Sequence, residues 1–414
     1  MNKIVLKYIK KVNDTISYEY EILGDWKHYF YENEKFFVSY GDNIEKVPDS
    51  IAVIPFLTNI LPMAWVFDSE IVIDEIDKDF YDHLDDLKRG YSNMYPRMNF
   101  KGNLSVGKVI NNSYDKTTKV AAFFSGGVDA FATLVSHVDE HPILITLWGS
   151  DITLDDNEGW RRVCKHAIDT GREFQCQNIF IKSSFRRFLN EAELSQYVFP
   201  VAGDNWWHGF QHGIGLIGHI APIAYIYKLD TTYIASSFTI QDKGIVTCAS
   251  DPTIDNYVYI ASCRTWHDGY DYTRQEKIAN ICRYKRLHGK NIQLRVCWQS
   301  SGGSNCCDCE KCYRTICGII AEGENPKEMG FIYDDSIYKK MYHDIRYKFF
   351  FDDVTRSYWD NIRQKYVENE KLLESYPALQ WIIKQDFSNM DKSGISIRKK
   401  MYHILKKIES KLVK

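Results

Sequence analysis

No run of apolar residues in the chain approaches the roughly 20 needed to cross a bilayer as a helix, so a helical membrane span is excluded. An excess of one charge is also missing: 52 Lys and Arg stand against 55 Asp and Glu, for a net charge of −3 with His neutral. With no global positive field, net charge does not mark the protein as a nucleic-acid binder. Internal repeats and long low-complexity linkers are absent, which excludes a repeat array. The N-terminus, MNKIVLKYIKKVNDTISYEYEIL, has no basic end followed by an apolar core and a small-residue cleavage site. Its apolar and polar residues alternate, so it reads as folded structure and not as a signal peptide.

The 414 residues suffice for a sizeable core and two or three domains. Eleven cysteines are spread thinly except for one cluster near residue 309. That distribution fits a reducing cytoplasm and a metal site better than a disulfide scaffold, and the expected location is cytoplasmic.

Residues 1–115 read as a β-rich N-terminal recognition domain. Ile16, Tyr18, Tyr20 and Ile22 alternate with polar neighbours over Thr15–Ile22, and Asn13-Asp14 supplies a turn before them. Phe36–Tyr40 and Glu70–Ile76 are further strand candidates, Leu57–Trp65 is apolar, and a helix is expected from Asp79 as N-cap to about Tyr91. Over 116–330 the texture changes. The apolar runs Val120–Phe124, Ile143–Leu147, Ile179–Ile181, Thr232–Ala235 and Ile292–Val296 are separated by helix-like segments after Gly127 and at Asp156–Thr170, Trp206–Tyr227 and Thr273–His288. This alternation predicts an α/β fold with a mainly parallel sheet covered on both faces, in which ligands bind outside the carboxyl ends of strands. Residues 331–414 read as a helical extension. It ends in a basic segment from 392 to 414 with eight Lys or Arg and one acid, Glu409, and with apolar residues at helical spacing. A basic-faced helix docked on its own domain is the expectation; a surface for nucleic acid, anionic lipid or a partner protein is the alternative.

Two motifs carry chemistry. Ser125-Gly126-Gly127-Val128-Asp129 stands at a strand-to-helix junction. Glycines let backbone N–H groups approach an anion, and the helix N-terminus adds favourable partial charge. The GxxxxGK[ST] spacing and its lysine are missing, so this is not a Walker loop, and by itself the string suits a plain turn equally well. The second motif is CWQSSGGSNCCDCEKC, in which Cys297, Cys306, Cys309 and Cys312 give C-x8-C-x2-C-x2-C. Four thiolates from a loop and a knuckle suit tetrahedral zinc and also an iron–sulfur cluster; Cys307 is read as a bystander.

Together, SGGVDA and the downstream four-cysteine motif resemble the PP-loop ATP pyrophosphatase superfamily. Within it they are closest to 7-cyano-7-deazaguanine synthase-like proteins, including larger relatives found in anti-phage defence operons. The likeness covers roughly Lys119 to Gly323. It implies a Rossmann-like parallel sheet of PP-loop type with a four-Cys zinc knuckle, and an ATP-dependent ligase. Such an enzyme adenylates an acyl or amide oxygen, releases pyrophosphate and lets a nitrogen nucleophile displace AMP. ATP, Mg²⁺ and Zn²⁺ are the implied cofactors, and the acceptor is a small molecule or a partner protein. By the resemblance, Ser125, Gly126, Gly127, Val128 and Asp129 form the pyrophosphate loop. Arg274 takes the place of the family's phosphate-facing lysine, Asp129, Arg274 and Lys277 are the catalytic candidates, and Arg314 matches an arginine beyond the last cysteine. This sequence departs from the pattern at Ala130, where the family has serine. It is also longer, and it lacks the family's substrate-loop signature after Ser237. A PP-loop amidotransferase of surface-polysaccharide synthesis, a tRNA-modifying enzyme and an inactive zinc-stabilised binding module are the other readings.

Further polar positions complete the candidate set. Ser236 and Ser237 follow an expected strand, and Asp151 follows another, so all three are candidates to face the nucleotide. Asp251 and Asp255 flank Pro252 and suit a turn as well as a substrate or magnesium site. His267-Asp268 suits a turn cap better than acid–base chemistry. His208 and His212 are four apart, but without the glutamate of HExxH they are not expected to hold a metal.

Overall fold

The computed structural model describes residues 2–115, 117–297, 303–392 and 399–400; most of the basic segment expected over 392–414 therefore lies outside the described residues. Two compact units are formed. The first comprises Met1–Ser125, Ser136–Ser236 and Thr247–Tyr270; the second comprises Gly126–Val135, Ser237–Val246 and the chain from Asp271 onward.

The first unit is built on one 11-stranded sheet. Its strands are β1 (Lys3–Val12), β2 (Thr15–Leu23), β3 (Phe37–Ser39), β4 (Glu70–Asp77), β5 (Asn103–Ile110), β6 (Val120–Phe123), β7 (Ile143–Trp148), β8 (Asn178–Ser183), β9 (Thr231–Ala235), β10 (Tyr259–Ile260) and β11 (Cys263–Asp268). Their order is β10-β11-β9-β6-β7-β8-β3-β2-β1-β4-β5. The pairs β11/β9, β9/β6, β6/β7, β7/β8, β1/β4 and β4/β5 are parallel. The pairs β10/β11, β8/β3, β3/β2 and β2/β1 are antiparallel. The sheet is thus mostly parallel in a mixed α/β fold, and β3 joins the strands of the first 110 residues to β8 in the same sheet.

The hairpin β1/β2 turns at Asn13-Asp14, where Val12 pairs Thr15 and Asn13 takes a left-handed φ of 53°, a conformation asparagine tolerates. The apolar stretch around Leu57–Trp65 lies in helix α1 (Ile54–Val66), buried at every position from Ile54 to Trp65. A helix enclosed on all sides needs no polar face, which explains its missing periodicity.

Three expectations are corrected. The helix expected from Asp79 as N-cap begins two residues earlier, with Asp77 Oδ2 accepting from Phe80 N at 3.2 Å. It breaks at His83 and resumes as α2 (Leu84–Met94). The expected strand Ile292–Val296 forms no ladder, because Leu294 N donates to Met329 O and Arg295 N to Gly126 O. The single helix expected across Trp206–Tyr227 is broken at Gly213, whose φ is 64° and where a Cβ would stand 2.5 Å from Ala249 O.

Loop placement follows from the order of the parallel strands. The chain leaves β6 for β7 and β8 on one side and returns to β9 on the other, which makes the carboxyl end of β6 a topological switch point. The loop from Phe124 to Gly127 follows β6 and leads into α3 (Val128–Ser136). Its entry is anchored by Phe124 N donating to Ile145 O at 2.8 Å and by Thr146 Oγ1 donating to Phe124 O at 3.0 Å. Helices α4 (Asn157–Phe174) and α5 (Glu191–Ala202) complete the longer helices of this unit.

The second unit contains α3 together with α6 (Arg274–His288), α7 (Glu310–Ala321), α8 (Ile337–Tyr347) and α9 (Asp353–Glu368). Tyr366 of α9 donates to Cys317 O of α7 at 3.0 Å, and both residues are buried.

Candidate functional site

Most of the expected site residues gather in the second unit. Gly126 has φ 79°, a left-handed conformation that costs a residue with a Cβ about 1–2 kcal/mol. Glycine there turns the backbone into the first turn of α3, whose leading amides have no partner within the helix and carry partial positive charge. Asp129 stands in that first turn. Ala130, where the resembled family has serine, is 5% exposed.

Helix α6 brings cations to Asp129. Thr273 and Glu276 close a capping box, which fixes the helix start and sets Arg274 and Lys277 one turn apart on a shared face. Arg274 Nη2 donates to Asp129 Oδ2 at 2.7 Å, and Lys277 Nζ stands 3.5 Å from Asp129 Oδ1. All three side chains are largely buried. Burial opposes ionisation of Asp129, but the charges of Arg274, Lys277, Lys311 and Arg314 outweigh it and hold the carboxyl below its usual range.

Helix α7 supplies the other wall. Arg314 Nη1 pairs Glu310 Oε2 at 3.2 Å, and Glu310 Oε1 accepts from Trp359 Nε1 at 2.8 Å. The ring of Tyr358, from α9, lies 4.5 Å from the Arg314 guanidinium and 5.4 Å from that of Arg274. Its hydroxyl donates to Ser237 O at 3.1 Å. Four cationic side chains, Arg274, Lys277, Lys311 and Arg314, thus face two carboxylates, Asp129 and Glu310. The donors Nε and Nη1 of Arg274 and Nε of Arg314 are buried with no hydrogen-bond partner. Buried guanidinium donors without acceptors are costly, and an anion bound there would supply the missing acceptors.

The four-cysteine motif converges at the start of α7. The sulfurs of Cys297, Cys306, Cys309 and Cys312 lie within 4.8 Å of one another, with Cys297–Cys309 and Cys306–Cys312 each at 3.9 Å. Tetrahedral zinc with Zn–S of ~2.3 Å puts sulfurs about 3.8 Å apart, so the donor set fits. Backbone N–H groups of Asp308 and Cys312 donate to the sulfurs of Cys306 and Cys309 at 3.4 Å, which favours thiolate charge. The Cys312 thiol and backbone, donating to Cys309, hold the Cys309 thiol below its usual range. Cys307 has a left-handed φ of 51°, and its sulfur points to Asn305 O at 3.9 Å, outside the group. Asn305 pins the knuckle to the extended segment before it. It accepts from Val296 N at 2.8 Å and from Cys297 N at 3.3 Å, and donates to Leu294 O and Gly330 O, both at 2.8 Å. Because Cys309 caps α7 and Arg314 lies further along it, a metal here would also fix the position of Arg314.

The first unit holds the remaining candidates. Ser125 follows β6. Ser236 follows β9 and donates its N–H to Asp268 O at 2.8 Å, and Asp151 is exposed in the loop after β7. Asp251 caps the short turn of helix at Pro252–Asp255. Asp255 is fully buried against His267 Nδ1 at 2.8 Å and Ser250 Oγ at 2.7 Å, so it braces the core and faces no solvent. His267 and Asp268 lie in β11, not in a turn, and Asp268 meets His137 at 3.1 Å. Residues that sequence reading did not single out are Tyr358, Glu310 and Asn305. Tyr358 and Asn305 carry no local signal, since their partners are supplied by the fold, whereas Glu310 pairs with Arg314 four residues on and meets Trp359 only through the fold.

Comparison of the chain with protein-family models, with curated proteins and with solved structures gives no match.

Proposed function

We propose that the protein is an ATP-dependent ligase that forms AMP and pyrophosphate, with the polyphosphate held over the Gly126–Asp129 loop. The observation that carries this reading is Arg274, buried beside the first turn of α3 with two guanidinium donors lacking partners. A pyrophosphate group supplies acceptors for those donors and charge for Lys277, while the glycine loop offers backbone N–H groups. Asp129 is the carboxylate of the cluster that would hold the magnesium of Mg·ATP. Catalysis then consists of placing the α-phosphate against an acyl or amide oxygen and stabilising the departing pyrophosphate, with a nitrogen nucleophile displacing AMP afterwards. The cysteine group would hold zinc as a structural brace for α7, since four sulfur donors leave no position open for substrate. The acceptor is a carboxylate- or amide-bearing small molecule or a partner protein.

The test is calorimetric titration with Mg·ATP and with pyrophosphate, followed by product analysis with candidate acceptors. Binding of both and release of AMP with pyrophosphate is the expected result. Formation of ADP with orthophosphate, or no affinity for either ligand, sinks the proposal; the latter leaves a metal-stabilised binding module.

A further inference from the structure

The first unit holds a second cluster of chemistry-bearing side chains, unrelated to phosphate binding. Asp204 lies just beyond α5, and His208 stands in a single turn of π-helix at Trp207–Gln211, with His212 immediately after it. Turns of this kind are uncommon and concentrate at functional sites. Cys248 is brought to them by a backbone bond from Ala249 N to His208 O at 2.8 Å.

The geometry is that of a nucleophile, a base and an orienting acid. Asp204 Oδ2 and Oδ1 lie 2.9 and 3.1 Å from His208 Nδ1. The same carboxylate is fixed by Thr247 Oγ1 at 2.9 Å and Tyr95 OH at 3.3 Å. His208 and Cys248 act on each other's ionisation, and the backbone bond from Ala249 N to His208 O holds their segments together. His212 Nδ1 stands 3.8 Å from the same sulfur. Among the described residues, the four-cysteine group is the set whose ligand atoms converge closely enough for a metal, so this cluster is not organised as a second metal centre.

The electrostatics agree. Burial by itself raises the Cys248 thiol, but hydrogen bonds from His208 and His212 bring it down to about 6. Burial lowers His208, and Asp204 and Cys248 outweigh that and lift it to about 10. Tyr91 and Tyr95 also face the thiol and are kept neutral by burial, while His212 acts on the buried Asp255. A thiolate beside an imidazolium is the activated form of a cysteine nucleophile.

We propose that Cys248 is a nucleophile toward small ester, thioester or amide carbonyls, with His208 as its acid–base partner and Asp204 as the positioning residue for His208. The sulfur bonds to the carbonyl carbon, the bond from that carbon to the leaving oxygen, sulfur or nitrogen breaks, and His208 gives its proton to the departing atom. Water, deprotonated by the now neutral His208, then attacks the S-acyl carbon, and the thiolate leaves. Cys248 is only 5% exposed, which restricts the acyl group to a small one. The neighbouring His208 side chain is 35% exposed.

The experiment uses the full chain with p-nitrophenyl acetate and, separately, iodoacetamide, with the modified peptide mapped by mass spectrometry across pH 4.5 to 9. The expected result is a burst of p-nitrophenolate with one acetyl group on Cys248, and alkylation at Cys248 with a midpoint near 6. Asp204→Asn moves that midpoint upward and slows labelling at pH 7 by about tenfold, and Asp204→Glu restores part of it. The wild-type profile needs no variant, so a variant that folds poorly leaves the test intact. Cys248 unlabelled at pH 7 in the folded chain but labelled after denaturation, a midpoint near 9, or a metal ion found on Cys248 would each overturn the proposal. Neither probe is a nucleotide, so it stands or falls separately from the ligase reading.

Discussion

Asp129 and Arg274, 145 residues apart in the chain, are joined by a 2.7 Å ion pair that leaves two buried donors of the arginine without acceptors. The pair is electrostatically incomplete, because the cations around the carboxylate outnumber it.

Asp129→Asn leaves the buried Arg274 charge poorly compensated and lowers unfolding free energy by about 3 kcal/mol, measured by urea denaturation. The sign with pH follows from the depressed carboxyl. Its stabilisation is complete above the unfolded-chain value of about 3.9 and is lost as pH falls through the lower folded value. The variant's acid-unfolding profile therefore lacks that limb; an unchanged profile refutes the assignment.

Arg274→Lys replaces a planar fork by a point charge and removes the unpartnered donors. Affinity for pyrophosphate and for Mg·ATP drops by about tenfold or more in calorimetric titration, while the circular dichroism of the chain is unchanged. Retained affinity would place the anion elsewhere.

Zinc analysis on the purified protein yields about one ion per chain. Cys309→Ser loses the metal and melts at a lower temperature, whereas Cys307→Ser retains it, because the Cys307 sulfur lies outside the group. A visible absorption band identifies an iron–sulfur cluster instead, since zinc is colourless.

His219 is fully buried between Gly215 O at 2.7 Å and Ser183 Oγ at 2.8 Å, and burial pushes its imidazole down to about 4. A depressed histidine stabilises the fold above its unfolded value of about 6.5 and loses that contribution as pH falls toward the folded value. Stability therefore declines by about 3 kcal/mol between pH 7 and pH 4 through this one residue. His219→Gln abolishes this part of the acid dependence in denaturant titrations at several pH values. His137 carries the opposite sign. Burial lowers it, but Asp268 and Glu140 outweigh burial and raise it, so its contribution is present at low pH and fades as pH rises through the folded value.

The strands β6 to β9 were legible because each is a short apolar run set off by polar segments, and the helix at Thr273–His288 because Thr273 and Glu276 announce their own cap. Strand β11 was not, since Cys263, Thr265 and His267 turn inward while Arg264 and Trp266 stay exposed. Arg, His and Asp among those residues hide a period of two. Ile292–Val296 has a strand's composition, but its amides are claimed by Met329 and Gly126. Composition reports a preference for extended backbone and not the presence of a neighbouring strand.

Local order in the chain is enough to set the four-cysteine spacing, the glycine turn before α3 and the alternation that makes a mostly parallel sheet, because each depends on residues within a few positions of one another. Only the folded chain decides that Asp129 meets Arg274 and Lys277, that Tyr358 lies between two arginines, and that Cys248 sits against His208. Those relationships turn on desolvation and on charges brought together from distant segments, and the same forces set which groups ionise and which donors await a ligand.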